Sequence, residues 1–294
     1  MPFIVISPAL RAHQHRGRLH AAALAAVDAI TDKAERRMRS SQAAVWKLPR
    51  ISQSRRQILT QALHELARLH QVDTALLNAP YRWNDFSVLA MDMDSTVITI
   101  ECIDEIADFC GKKDEVSAIT EAAMRGEIKD YAESLRRRVA LLAGLPESVM
   151  GEVIRYRLRF TPGVKELVSA ANAHKVHTLL VSGGFTQFTD FVAEKIGFQQ
   201  TRSNTLEIID GKLTGRLIGK IVDASVKRST VAAACRRLGA NPVRAIAIGD
   251  GANDLEMMKH SGLSVAHRAK PAVAAQAMQA IAYGGLDNVL DWFE

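Results

Sequence analysis

The sequence predicts an α/β protein: a mostly parallel β-sheet covered by helices on both faces, with a helical block inserted after its first strand. Three observations lead there. Short apolar runs of strand length, at residues 86–91, 176–181 and 244–248, alternate with helical segments from residue 161 onward, the order that builds parallel sheets. Each run stops on polar residues: Asp92 and Asp94, then Ser182-Gly183-Gly184, then Gly249-Asp250-Gly251-Ala252-Asn253-Asp254. Between the first run and the rest, residues 101–160 show only helical patterning.

Composition sets the outer bounds. With 294 residues, 48% hydrophobic and 24% charged, the chain suits one large domain or two modest ones. No window approaches the roughly 18 consecutive apolar residues of a membrane helix, and the N-terminus lacks the apolar core of a secretory signal, so a cytoplasmic protein is expected. The cysteines, Cys102, Cys110 and Cys235, form no C-x-x-C pair and are odd in number, which argues against a disulfide framework or structural zinc. The net charge of +6 is uneven: residues 1–85 carry 13 Lys or Arg against 6 Asp or Glu, leaving 25 against 26 for the remainder. No groove-reading motif accompanies the basic front, so a solvated Arg-rich face is expected and a nucleic-acid partner is not.

Taken in order, residues 3–6 form a candidate strand, residues 19–30 an Ala-rich helix, residues 46–51 a connection around Pro49, and residues 58–77 an amphipathic helix. The front is therefore expected to be small and mainly helical, without a convincing β-α-β-β-α-β pattern, ending near residue 84. In the inserted block, helices at 101–110, 113–125, 130–142 and 146–156 are separated by Gly111, Gly126 and Gly144. Thr161 and Pro162 open the next helix as N-cap and first residue, and the strand that follows ends at Ser182. A helix at 185–196 precedes two short strands joined by Asp210-Gly211, a hairpin signal. A helix at 225–238, the strand at 244–248, a helix at 254–260, a strand at 263–266 and a helix opened by Pro271 complete the order.

Strand ends of a parallel sheet lie along one edge, where open α/β folds bind ligands. Asp92 and Asp94 share a face and repel each other unless a cation or a shared proton intervenes; a solvated Asp-rich turn is the plain alternative. Carboxylate oxygens without nearby His or Cys suit Mg²⁺ rather than zinc. Ser182-Gly183-Gly184 before a helix offers a hydroxyl and exposed N–H groups to an anion, phosphate above all, and Lys227 could add positive charge. With such a set, Asp92 could attack phosphorus while Asp94 acts as acid and base. The stretch from Asp92 lacks the Gly of an EF-hand, and Gly249–Asp254 lacks the third glycine of a dinucleotide fingerprint.

D-x-D-S-T after a strand, S-G-G after a second, a lysine, then G-D-G-x-N-D after a third resembles the motif set of the haloacid dehalogenase superfamily, in detail its phosphoserine phosphatase branch, from about residue 85 to the C-terminus. The resemblance implies a Rossmann-like core with a helical cap at about 101–160 inside a phosphatase domain of residues 85–294. It implies Asp92 as nucleophile and Asp94 as acid/base. Mg²⁺ would be held by Asp92, Asp250 and the backbone carbonyl of Asp94. Ser182, Gly183, Gly184 and Lys227 would hold phosphate, with Asn253 and Asp254 in support. In the cap, Glu101 matches the glutamate that meets a substrate ammonium and Arg138 the arginine that meets its carboxylate, the pair an amino acid requires. Tyr131 stands where phenylalanine is expected, and the Met124-to-Ser134 spacing is one residue longer than usual.

The implied reaction is Mg²⁺-dependent hydrolysis of O-phospho-L-serine to L-serine and phosphate through an aspartyl-phosphate, the last step of serine biosynthesis. The alternative is a phosphatase or phosphotransferase acting on another small phosphomonoester. A receiver-like module that only stores phosphate is disfavoured by Asp94 and the cap. The expected partner is the small phosphomonoester, with neither nucleic acid nor membrane, and a homodimer is an option. Residues 1–84 are left without a role, and no amino-acid-sensing ACT domain is assigned to them.

Overall fold

The computed structural model describes residues 1–9, 21–31, 34–38, 43–124, 127–128 and 130–294. Its front part corrects the expectation of a mainly helical region. It runs β1 (Phe3–Ser7), α1 (Ala21–Thr31), β2 (Glu35–Met38), β3 (Ala44–Lys47), α2 (Gln53–His70) and β4 (Asp73–Leu77), a β-α-β-β-α-β unit with an antiparallel sheet in the order β2-β3-β1-β4. Three strands escape detection for separate reasons. Glu35-Arg36-Arg37-Met38 is exposed at every position and so carries no alternation. Ala44–Lys47 is only four residues long and abuts Pro49. The helix expected through Leu77 stops at His70, where Gln71 turns left-handed (φ 50°), and the alternating burial of Asp73–Leu77 begins two residues later. The expected start of the first helix at Leu19 lies outside the described residues, as do Arg125 and Gly126 in the inserted block.

The larger sheet has seven strands. After β5 (Val88–Met91) come the cap helices α3 (Cys102–Phe109), α4 (Lys113–Met124), α5 (Tyr131–Ala140) and α6 (Ser148–Tyr156), then α7 (Val164–Ala173), β6 (His177–Phe185), α8 (Thr186–Ile196), β7 (Gln200–Ile209) and β8 (Lys212–Ile218). The chain continues through α9 (Ala224–Arg237), β9 (Ala245–Gly249), α10 (Leu255–Lys259), β10 (Leu263–His267), α11 (Pro271–Ala274) and β11 (Gln279–Ile281). The strand order is β11-β10-β9-β5-β6-β7-β8, parallel throughout except for the β7–β8 hairpin. Both hairpin turn residues have positive φ (Asp210 49°, Gly211 71°), as a two-residue primed turn requires. β5 is buried at every position, which is why it appears as an unbroken apolar run.

Two local expectations shift. Gly163 (φ 80°), rather than Thr161, caps α7, and a Cβ there would lie 2.2 Å from Asp287 Oδ1. β6 does not end at Ser182 but continues to Phe185, with its pairing to β7 displaced between Val181 and Phe185. Because β9, β5 and β6 are immediate neighbours, all three polar strand ends meet at the centre of one sheet edge.

The cap is tied to the hairpin. Gly144 N donates to Leu213 O (2.8 Å), Leu213 N to Leu145 O (2.8 Å) and Glu147 N to Gly211 O (2.9 Å). Gly215 allows α5 to approach β8, since a Cβ there would sit 3.0 Å from Ala143 Cβ and 3.1 Å from Ala140 O. The front unit is tied to the C-terminal segment. The buried Asp73 carboxylate accepts from the N–H groups of Ala282 (2.8 Å), Tyr283 (3.0 Å) and Gly284 (2.8 Å) and from Asn288 Nδ2 (2.8 Å). Tyr81 N donates to Trp292 O (2.8 Å). Burial pushes the Asp73 carboxyl above its ordinary range although all four donors oppose the shift.

Asp73→Ala would orphan three backbone donors at once, at a cost of roughly 2–4 kcal/mol. The expected result is a lower thermal unfolding midpoint together with faster hydrogen exchange at residues 282–284; unchanged exchange there would refute the latch.

Candidate active site

Directly after β5 the chain makes a wide turn in which Ile98 N donates to Met93 O (3.0 Å) and Ser95 is left-handed (φ 55°). A non-glycine residue held in that region is strained, and here it orients polar groups. Ser95 Oγ donates to Glu101 Oε1 (2.6 Å) and Thr96 Oγ1 to Asp250 Oδ1 (2.7 Å). Asp92 is buried; its Oδ1 accepts from Met93 N (2.7 Å) and Lys227 Nζ (2.8 Å), while Oδ2 has no donor among the described residues. Asp94 Oδ1 accepts from Cys102 N (3.2 Å), the first residue of the cap helix α3.

Lys227 is completely buried and also donates to Asp254 Oδ1 (2.7 Å). The other Asp254 oxygen accepts from Asp250 N (3.2 Å) and Gly251 N (3.0 Å). Gly249 is required by this arrangement, because a Cβ there would lie 2.4 Å from Asp254 Cγ. On β6, Ser182 Oγ accepts from Gly184 N (2.8 Å), while Asn204 Nδ2 donates to Gly183 O (2.7 Å) and Asn204 Oδ1 accepts from Val222 N (2.8 Å).

A cavity of about 450 Å³ opens between sheet edge and cap. Of the residues singled out from sequence, Asp92, Asp94, Glu101, Tyr131, Arg138, Gly183, Gly184, Asp250 and Asn253 line it. Ser182, Lys227 and Asp254 are fully buried and do not line it; Lys227 communicates with it through Asp92. The Met124 side chain lies outside the described residues. Ser95, Thr96 and Asn204 were not singled out. The first two sit inside the quoted D-x-D-S-T motif, whereas Asn204 lies on an ordinary strand without a local signal.

The cavity is electrostatically short of positive charge. Burial, then Asp254, raises Asp92 well above the carboxylate range, with Lys227 opposing. Burial pushes Asp94 up to about 6 against its bond from Cys102, and Asp250 up to about 6 against its bond from Thr96. Glu101, at the exposed rim of the cavity, is pushed up to about 7 by its partial desolvation there and by Asp94. Burial alone would depress Lys227, but Asp254 and Asp92 outweigh it and raise the ammonium above its ordinary value.

Carboxylate oxygens of Asp92, Asp250 and Asp254 lie within 4.8 Å of one another, a hard-oxygen set that could hold a divalent cation. Both Asp254 oxygens are committed to Lys227 and to backbone N–H groups, which leaves Asp92 and Asp250 to face an ion.

A family model described as haloacid dehalogenase-like hydrolase matches residues 89–259. The chain belongs to the haloacid dehalogenase-like hydrolases. Within that family it is 55% identical to a protein of Albidiferax ferrireducens named phosphoserine phosphatase, over 73% of this chain and 92% of the relative. A crystal structure titled as a probable phosphoserine phosphatase from Vibrio cholerae superimposes with a TM-score of 0.80 at 33% identity, covering 99% of this chain and 85% of that one. A substrate-bound phosphoserine phosphatase complex gives a TM-score of 0.66 at 33% identity over 71% of this chain and 99% of that one. The Vibrio match spans the front unit as well as the hydrolase part.

Lys227→Met would leave Asp92 and Asp254 buried without their counter-charge, a loss of about 3–5 kcal/mol. Without Lys227 the folded-state pKa of Asp92 rises further above its unfolded value, so the folded form holds its proton more tightly and stability falls as pH rises. Thermal unfolding should therefore show a wider gap between variant and parent at pH 8 than at pH 5.

Proposed function

We propose that this protein hydrolyses O-phospho-L-serine to L-serine and phosphate with Mg²⁺. The observation that carries this reading is Arg138. Its Nε is buried in the cavity wall without a hydrogen-bond partner among the described residues, while Glu101 offers a carboxylate in the same cavity. A guanidinium and a carboxylate facing one small cavity complement the carboxylate and ammonium of an amino acid, and Asp92, Asp94 and Asp250 line the same cavity. The names of the relatives support the same substrate.

In this reading Asp92 Oδ2 attacks phosphorus and the bond to the serine oxygen breaks, giving an aspartyl-phosphate. Asp94, held partly protonated by burial, gives its proton to the departing serine oxygen. It then accepts a proton from the water that attacks the same phosphorus, the P–O bond to Asp92 breaks, and phosphate leaves. Lys227 holds Asp92 Oδ1 so that the other oxygen points at the substrate. Magnesium, held by Asp92, Asp250 and the Asp94 backbone carbonyl, would supply charge neutralisation for the phosphoryl oxygens. Gly183 and Gly184 seat the phosphoryl group from the cavity wall, Ser182 holds them from behind by accepting from Gly184 N, and Asn253 and Asp254 brace the site. In this reading the reaction is the last step of serine biosynthesis. No described helix is long and apolar enough to cross a membrane; a cytoplasmic location and a homodimer belong to the same proposal.

Phosphate release from O-phospho-L-serine should require Mg²⁺ and be abolished in Asp92→Asn. Arg138→Met should raise KM for phosphoserine about 10- to 100-fold, the value of a hydrogen bond between charged groups, with little effect on p-nitrophenyl phosphate. A parent enzyme that prefers phosphomonoesters without an amino-acid moiety would overturn the assignment.

A further inference from the structure

Gly183 does not owe its identity to a positive φ. What excludes a side chain there is the cap: a Cβ on Gly183 would lie 2.2 Å from Tyr131 Oη and 3.4 Å from Tyr131 Cζ. Tyr131 is the first residue of α5, whereas Gly183 lies on β6 of the core, so this contact joins cap to sheet edge inside the cavity. On the core side the position is fixed, because Asn204 holds Gly183 O and is itself held by Val222 N. On the cap side the tyrosine hydroxyl has no hydrogen-bond partner among the described residues, although its ring is packed among Ile103, Leu135 and the other residues lining the cavity. The hydroxyl is not sealed in protein but opens on the cavity, so it can donate to a ligand held there. Burial pushes the phenol up to about 12, so it stays a neutral donor across the working pH range.

We propose that the Tyr131 hydroxyl donates a hydrogen bond to a non-bridging oxygen of the phosphoryl group seated at Ser182–Gly184, which makes Tyr131 a catalytic residue delivered by the cap. The proposal rests on the phosphatase reading above and goes beyond it by giving the cap a part in the phosphoryl chemistry. The phosphoryl end is indicated because Oη lies against Gly183, between Ser182 and Gly184 at the end of β6. Arg138 stands seven residues further along α5, two turns or about 10 Å of axis, so the two side chains leave the helix well apart. The phosphoryl oxygens gather charge as the bond to the leaving oxygen breaks, and a preplaced donor strengthens there. Phenylalanine at this position would fill the same space without donating.

Tyr131→Phe in the full chain, assayed with Mg²⁺, tests this. The expected result is a fall in kcat on phosphoserine of about 10- to 100-fold, somewhat below the loss for a main oxyanion donor. The affinity for inorganic phosphate, measured by calorimetry, should weaken about tenfold while inhibition by L-serine is unchanged. Gly183→Ala should be severely impaired in the parent but cost much less in the Tyr131→Phe background, where the nearest remaining ring atom is at ordinary contact distance. Parental kcat and phosphate affinity in Tyr131→Phe would overturn the proposal. So would weakened L-serine inhibition with phosphate affinity intact, since it would put the hydroxyl at the amino-acid end. Should the parent fail to hydrolyse phosphoserine, the substrate assignment falls, while a tenfold phosphate difference between parent and Tyr131→Phe would still uphold the contact.

Discussion

The site depends on one buried ammonium. Lys227 is removed from water entirely, a cost that two flanking carboxylates offset, and each carboxylate is then fixed by the need to stay beside it. Asp254 serves only this purpose, since its remaining oxygen is clasped by the Asp250 and Gly251 N–H groups and Gly249 makes room for it. The G-D-G-x-N-D motif is thereby explained largely as packing: it builds a socket for the aspartate that holds the lysine that holds Asp92. Asp250, carried on the same turn, is left facing the cavity. A triad of this kind joins α9, the end of β9 and the end of β5, so the sheet edge and its chemistry are fixed by the same bonds.

The cap completes what the core leaves open. Glu101 and Arg138 come from α3's N-terminus and α5, and both are placed by contacts to other parts of the chain: Ser95 orients Glu101, and the β7–β8 hairpin carries the far end of α5 through backbone hydrogen bonds and the close approach at Gly215. The hairpin lies at the sheet margin, its strands two and three places from β5, yet it supports the end of α5 above the cavity.

Much of this was legible in the sequence because the informative residues lie at strand ends, where apolar runs stop abruptly. Val88–Met91 and Ala245–Gly249 are wholly buried, so their sequence is uninterrupted and the acids that follow are conspicuous. The Asp-Gly turn was readable because only a primed turn wants that pair at positive φ. The front unit was not readable, because an edge strand such as Glu35–Met38 has no buried face and helix α2 runs into β4 with a left-handed Gln71 in place of the usual glycine. Asn204 was likewise hidden: its role as a brace for Gly183 comes from side-chain geometry across two strands, and a polar residue on a strand carries no such label.

The ties between Asp73 and residues 282–284, and between Tyr81 and Trp292, bind a segment made early in synthesis to one made much later. The front sheet closes within residues 3–77, but the groups that hold its carboxylate lie 209 to 215 residues further along the chain. Its carboxylate stays in water until those donors have been made, so docking of the front unit follows synthesis of the hydrolase part.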